Sequence, residues 1–363
     1  MLSTQVFSRV RSAFVLSALP VTLIAVLPTQ ALAANLKFDE LYVFGDSLSD
    51  PGNVRDKTLG FFPQSPPYYQ GRFSNGPIWV EELGNKLGLT PTRYTQGFPG
   101  NSPSDGVNFA FGGATTGSNN VANLPFLPLP GLQTEIDYFK NGLATSGKSA
   151  NPDALYVVWA GGNDYLLGGA TNPTQPVVNL ATALTSLFSL GARNFLVPNL
   201  PDLGNTPVGL SRGSDVSNGL NQLSVGHNAG LAQTVNNLSQ SLTGINLISV
   251  DVNSLFDSAI ANPSQYGFTN VTQPCLTNFQ NPVDFIYNVC DRPNEYLFWD
   301  EFHPTTAGHK LVAETAYLAL NSKSVPEPTA GLAILAFGAL GAVSGFKQKR
   351  QKTSPVKSHA KLY

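Results

Sequence analysis

Charged side chains are few: Asp, Glu, Lys and Arg make up 12% of the 363 residues, and the formal net charge is -2. Without a basic field there is nothing to hold a nucleic-acid backbone, so no nucleic-acid partner is expected. Histidine (4) and cysteine (2) are scarcer still. Cys275 and Cys290 have no neighbouring His, which makes them a poor zinc site, and neither has the surroundings of a thiol nucleophile. In an oxidising compartment they read as one disulfide, worth about 3 kcal/mol in the loop-entropy model. What the chain does have is Gly (34), Pro (27) and 42% hydrophobic residues. That mixture suits a loop-rich, weakly charged extracellular protein with enough apolar surface for a sizeable core.

Both ends carry address-like segments. Arg9 and Arg11 precede an apolar run over residues 13–27, and Ala31-Leu32-Ala33 supplies the small residues that a signal peptidase reads. Residues 1–33 are therefore expected to be a cleaved signal peptide, with an uncleaved anchor as the alternative. At the other end Pro326-Glu327-Pro328 is followed by an uncharged stretch, residues 329–346, and then by Lys347, Lys349, Arg350 and Lys352. The stretch is just long enough to span a bilayer as a helix, with the basic cluster on the cytoplasmic side. Triplet, apolar span and basic end, in this order, resemble the PEP-CTERM sorting signal of Gram-negative bacteria. The resemblance implies an exosortase-type sorting enzyme as a partner and a surface or extracellular destination; an ordinary tail anchor is the alternative. Residues 325–352 are assigned to this segment and 353–363 to a polar, basic tail. Between the two address segments, residues 34–324 show no internal repeat and no dividing linker, so one domain is expected.

Within that domain five short apolar runs read as buried strands, at residues 41–44, 107–110, 155–160, 194–198 and 246–250. Helical spacing lies between them. Leu132, Ile136, Phe139 and Leu143 share a face, as do Val177, Leu180, Leu184, Leu187 and Phe188, and Pro77 is placed as a first helical residue before Trp79 and Leu83. Strands alternating with helices imply right-handed crossovers, hence a three-layer α/β/α domain with a doubly wound, flavodoxin-like parallel sheet of about five strands. Such sheets hold their ligands beyond the carboxyl ends of the strands. There the first strand runs into Gly45-Asp46-Ser47, the second into Gly112-Gly113 and the third into Gly161-Gly162-Asn163-Asp164, three turn-forming clusters that converge on one rim.

A serine hydroxyl becomes a nucleophile only when a base takes its proton, so the four histidines are decisive. His359 lies in the basic tail. His227 falls in register with Leu220, Leu223, Leu231 and Val235, where a core histidine is the plainer reading. His309 sits inside the last helical pattern and is compatible with a surface position. His303 occurs in Asp300-Glu301-Phe302-His303-Pro304, where Asp300 can fold back in a turn, accept the ring N–H and leave the other nitrogen basic.

Gly45-Asp46-Ser47-Leu48-Ser49-Asp50, Asn108-Phe109-Ala110-Phe111-Gly112-Gly113-Ala114, Gly161-Gly162-Asn163-Asp164 and Asp300-x-x-His303-Pro304 together resemble the four ordered blocks of the GDSL, or SGNH, hydrolase family. The stretch from Pro67 through Tyr68, Gly71, Arg72 and Phe73 to Gly76 is similar to the lipase and esterase branch. The resemblance covers essentially the whole central domain. It implies carboxylic-ester hydrolysis with no cofactor and no metal, on a small-molecule or lipid ester. Ser47 would be the nucleophile, His303 the general base and then acid, and Asp300 its orienting partner. The oxyanion would be held by the N–H of Ser47, the N–H of Gly112 and the side-chain amide of Asn163, with Gly113 as the less favoured substitute for Gly112. Preorganised donors of this kind are each worth about 3 kcal/mol to a tetrahedral intermediate.

Other residues near the blocks have plainer roles. Asp46, Asp50 and Asp164 suit turns and helix caps. Trp79 and Phe302 are candidates for the acyl pocket, although core packing is the commoner fate of such aromatics, and Arg72 either meets an anion or fixes a loop. Two other functions compete. A two-metal phosphoesterase could draw on Asp46, Asp50, Asn163, Asp164, Asp300 and His303, but sites of that kind generally use several histidines. A non-catalytic surface or matrix binding protein could share the scaffold, since fold does not fix function.

Overall fold

The computed structural model describes residues 37–97, 104–122, 127–278 and 286–322. The expected signal peptide and the segments at 325–352 and 353–363 lie outside the described residues, and no described helix is long and apolar enough to cross a membrane.

A parallel sheet of six strands forms the centre: β1 (Leu41–Gly45), β2 (Thr92–Arg93), β3 (Val107–Asn108), β4 (Leu155–Trp159), β5 (Asn194–Pro198) and β6 (Asn246–Val250), in the order β2-β3-β1-β4-β5-β6. Five of these answer the apolar runs, and the sixth, β2, is a two-residue edge strand paired only with β3. The side chains alternate across the sheet as the strand period requires. Leu41, Val43, Leu155 and Val157 point into one apolar layer, and Phe44, Tyr156, Val158 and Phe195 into the other.

Helices cover both faces. In chain order they are α1 (Asn53–Lys57), α2 (Trp79–Leu87), α3 (Leu132–Ser146), α4 (Gly162–Leu166), α5 (Thr174–Leu190), α6 (Pro207–Ser211), α7 (Ser214–Ser241), α8 (Val252–Ala261) and α9 (Thr306–Ser322). Helices α2, α8 and α9 bury Trp79, Leu83, Val252, Phe256, Val312 and Ala316 in the first layer. Helices α3, α5 and α7 bury Leu132, Ile136, Phe139, Leu184, Leu187 and Leu231 in the second. Each such large side chain withdrawn from water contributes about 1.5–3 kcal/mol before chain entropy is counted. The architecture is the expected three-layer α/β/α domain.

Two expectations are corrected. Pro77 is not the first helical residue: helix α2 begins at Trp79 with Ile78 as its N-cap, and the Glu81 carboxylate accepts the Ile78 N–H at 3.0 Å. His309 is 1% exposed, because it sits in phase with Val312, Ala313, Ala316 and Leu320 on the inward face of α9.

Beyond β6 the chain builds two small sheets, β7 (Asn270–Pro274) with β10 (Tyr296–Phe298), and β8 (Leu276–Thr277) with β9 (Asn288–Val289). Cys275 and Cys290 are joined by a disulfide, and backbone bonds from Cys275 to Phe298 (3.1 Å) and from Leu276 to Trp299 (2.7 Å) dock this excursion onto the strand that leads to Asp300.

Candidate active site

Strand order places β1 between β3 and β4, so the turns after these three strands meet at the carboxyl edge. A Cβ on Gly45 would stand 2.2 Å from the Trp159 carbonyl oxygen; only glycine lets the end of β1 lie this close to β4 as the chain turns into Ser47.

Ser47 Oγ lies 2.8 Å from His303 Nε2. The opposite ring nitrogen, Nδ1, faces the Asp300 carboxylate at 2.7 Å (Oδ2) and 2.9 Å (Oδ1). An ionised carboxylate only accepts, so Nδ1 carries the hydrogen and Nε2 presents its lone pair to the serine. Asp300 Oδ1 also accepts the backbone N–H groups of Phe302 (2.8 Å) and His303 (2.7 Å), which closes the turn locally. Burial alone pushes the Asp300 carboxyl up; the facing His303, its hydrogen bond, the Phe302 N–H and a hydrogen bond from Tyr68 outweigh burial and hold it below the usual carboxylate range. Phe73 packs against the His303 ring with centroids 5.2 Å apart.

The connection through residues 51–77 is stitched to this turn. Ser74 Oγ donates to the Pro304 carbonyl (2.9 Å), Asn75 Oδ1 accepts the Thr306 N–H (2.8 Å), and Thr306 Oγ1 donates to the Pro77 carbonyl (2.9 Å). Arg72 is committed to Glu81, which makes it a loop-fixing residue.

Around the serine, backbone donors and buried acids alternate. The Gly112 N–H, expected to face the oxyanion, donates instead to Asp50 Oδ2 at 2.9 Å. Asp50 also accepts from Gly52 (2.7 Å) and Val54 (3.2 Å), so it acts as a buried clamp for two turns, and burial pushes it up to about 6. Glu135, reaching from α3, accepts from Gly45 (2.8 Å) and Phe111 (3.1 Å), and burial raises it well above the carboxylate range. Asp46 accepts the Leu48 N–H at 3.0 Å, and burial pushes it up to about 7. Asp164 accepts from the Thr116 N–H (2.9 Å) and hydroxyl (2.7 Å), tying the loop after β3 to α4. These carboxylates are occupied by backbone donors and a hydroxyl, and among the described residues no three His, Cys, Asp or Glu are grouped to hold a metal ion.

Gly113 and Asn163 both line the cleft above Ser47. Asn163 Nδ2 donates to the Ala114 carbonyl at 3.0 Å, which uses one of its two amide hydrogens. The cleft encloses about 470 Å³, and Leu166, Leu200, Leu203, Phe256, Phe298 and Phe302 make its apolar wall. Phe302 thus reaches the pocket, whereas Trp79 is fully buried with its indole N–H on Ser49 Oγ at 3.1 Å. His227 lies behind the rim, 1% exposed, with Nδ1 2.9 Å from the Tyr165 hydroxyl, and burial lowers it to about 4.

Sequence reasoning missed Tyr68 and Glu135. Tyr68 sits inside the stretch from Pro67 to Gly76 singled out only as a whole, and Glu135 looks like an ordinary helical acid until α3 is docked.

Residues 41–316 match the family model described as GDSL-like Lipase/Acylhydrolase. The chain is 28% identical over 343 residues to a phosphatidylcholine-sterol acyltransferase of Aeromonas hydrophila, covering 82% of this chain and 94% of that protein. It is 29% identical over 320 residues to a GDSL esterase/lipase of Arabidopsis thaliana, covering 79% and 83%. With the esterase EstA of Pseudomonas aeruginosa it shares 33% identity over 326 residues, 83% of this chain and 49% of that protein. The matched model spans all four blocks and the rim they build: the chain belongs to the GDSL-like lipase/acylhydrolase family and is a carboxylic ester hydrolase.

Proposed function

We propose that the chain cleaves apolar acyl esters through an acyl-Ser47 intermediate. The observation that carries this reading is the relay Ser47 Oγ to His303 Nε2 at 2.8 Å and His303 Nδ1 to Asp300 Oδ2 at 2.7 Å. Ser47 Oγ attacks the ester carbonyl as its proton passes to Nε2; His303 then protonates the departing alkoxide, which leaves as the alcohol. Water, deprotonated by the same nitrogen, attacks the acyl-serine, and as the bond to Ser47 Oγ breaks His303 returns the proton to that oxygen and the acid is released. Asp300 keeps the ring in one tautomer and stabilises the imidazolium.

Charge on the tetrahedral oxygen is met by the N–H of Ser47, the free amide hydrogen of Asn163 and the N–H of Gly113. Gly113 replaces Gly112 in this scheme because the Gly112 N–H already serves Asp50. The apolar wall and the volume of about 470 Å³ support a medium or long acyl chain, and likeness to a phosphatidylcholine-sterol acyltransferase supports lipid esters. Arg9, Arg11, the apolar run and Ala31-Leu32-Ala33 support export, and the Pro326-Glu327-Pro328 segment supports surface sorting.

A series of p-nitrophenyl esters of increasing chain length tests the reading. In the native protein kcat/KM should climb by up to about fourfold per methylene until the cleft is full, from about 0.8 kcal/mol per buried CH₂. Ser47→Ala should lose several orders of magnitude in kcat without unfolding; near-native turnover in that variant would refute the acyl-serine route.

A further inference from the structure

The Asp300 oxygen that faces the imidazole is shared. Tyr68 donates its phenolic O–H to Asp300 Oδ2 at 2.8 Å, and Oδ2 is also the oxygen 2.7 Å from His303 Nδ1. Tyr68 and Asp300 are 7% and 8% exposed, so water does not compete for this bond. The ring is held from both sides. It packs edge-on to Phe73, centroids 6.2 Å apart, and Phe73 in turn lies on the His303 ring. On the other side it belongs to a buried cluster with Cys275, Leu276 and Trp299. Burial, then the Asp300 charge and the hydrogen bond to it, push the phenol far above its ordinary range, so it stays a donor wherever an esterase works.

A carboxylate oxygen that accepts a second hydrogen bond has less electron density to offer an imidazolium. We propose that Tyr68 is a positioning residue of the hydrolytic site, whose phenol limits how strongly Asp300 holds the His303 imidazolium and so keeps His303 free as a base at lower pH. This rests on His303 being the base. The titratable groups around His303 are Asp300 in its own turn, Asp46 behind the serine and His309 on α9, while Glu301 acts on the Tyr68 side. Of these, only Asp300 loses a hydrogen-bond partner when the phenol alone is removed.

Tyr68→Phe keeps the ring and its packing and removes the donor. The acid limb of the kcat/KM profile, measured from pH 4.5 to 9 on one fixed ester, should move up by about one unit, the effect of a single charge-assisted hydrogen bond. Activity on that limb then falls about tenfold while the plateau above it is kept. Site-specific 3-fluorotyrosine at position 68, a stronger donor of nearly the same shape, should move the limb the other way and serves also if Tyr68→Phe folds poorly. A limb that stays in place in both proteins, whatever happens to kcat, overturns the proposal and leaves Tyr68 a packing residue. Ser47→Ala is run alongside: native-like turnover there withdraws the serine mechanism itself, an outcome separate from an unmoved limb.

Discussion

Asp46 precedes Ser47, the proposed nucleophile, and is 4% exposed, and burial pushes its carboxyl from 3.8 to about 7. An acid whose folded pKa is raised favours the folded state fully below its unfolded pKa and loses that contribution as pH rises through the folded value. For Asp46 the window runs from about pH 4 to pH 7. A rise of about three units corresponds to an upper limit of about 4 kcal/mol. For a domain of about 300 residues the unfolding entropy is about 0.6 kcal/mol/K, so the limit translates into about 6 °C in Tm. Asp46→Asn keeps an oxygen to accept the Leu48 N–H and cannot ionise. Its Tm should equal that of the native protein near pH 4 and exceed it increasingly toward pH 8, by up to about 6 °C.

The difference between the two proteins must be measured by calorimetry at constant ionic strength, because the native curve mixes signs. His227 and His309, lowered by burial to about 4 and about 3, favour the folded state above pH 6.5 and lose that contribution as pH falls toward those values. Asp50, Glu135 and Asp164 act in the same direction as Asp46. His227, His309 and Asp50 cancel in the difference, whereas Glu135 and Asp164, which feel the Asp46 charge, add a smaller part of the same sign. A difference in Tm that stays flat between pH 4 and pH 8 would show that Asp46 carries no buried-charge penalty.

Two further predictions concern the rim and its support. Asn163→Ala should lower kcat by about 10²–10³ with KM nearly unchanged, since in the proposed mechanism the lost donor acts on charge that develops only in the transition state; steady-state kinetics with an equal loss in KM would assign Asn163 to ground-state binding instead. Cys290→Ser opens the Cys275–Cys290 link and should lower stability by about 3 kcal/mol, about 5 °C in Tm, while kcat at 25 °C holds; thermal melts with unchanged Tm would mean that β-pairing alone fixes this excursion.

The central strands were legible because each is a short apolar run between turn residues, and β5 and β6 coincide with their runs to the residue. Edge strand β2 was not: two half-buried residues, Thr92 and Arg93, carry no periodicity. Nor were β7 and β9, whose Asn270–Pro274 and Asn288–Val289 are polar or exposed and pair through contacts distant in sequence. In the site, residue types and order pointed to Ser47, Asp300, His303 and Asn163. The choice between Gly112 and Gly113 depends on which N–H the Asp50 carboxylate takes, 62 residues away along the chain, and no local pattern records that. His309 could have been read better, since its spacing to Val312, Ala313 and Ala316 marks the inward face of the helix.

Asp300 and His303 share one turn, three residues apart and closed by two backbone N–H bonds to the Asp300 carboxylate, whereas Ser47 arrives from the opposite end of the domain, 256 positions away. Heating or mild denaturant therefore strains the two halves of the relay unequally. Loosening of the domain should part Ser47 from His303 while the imidazole still rests on the Asp300 carboxylate, so under the proposed mechanism hydrolytic activity should fade at a lower temperature than the one at which the histidine environment changes.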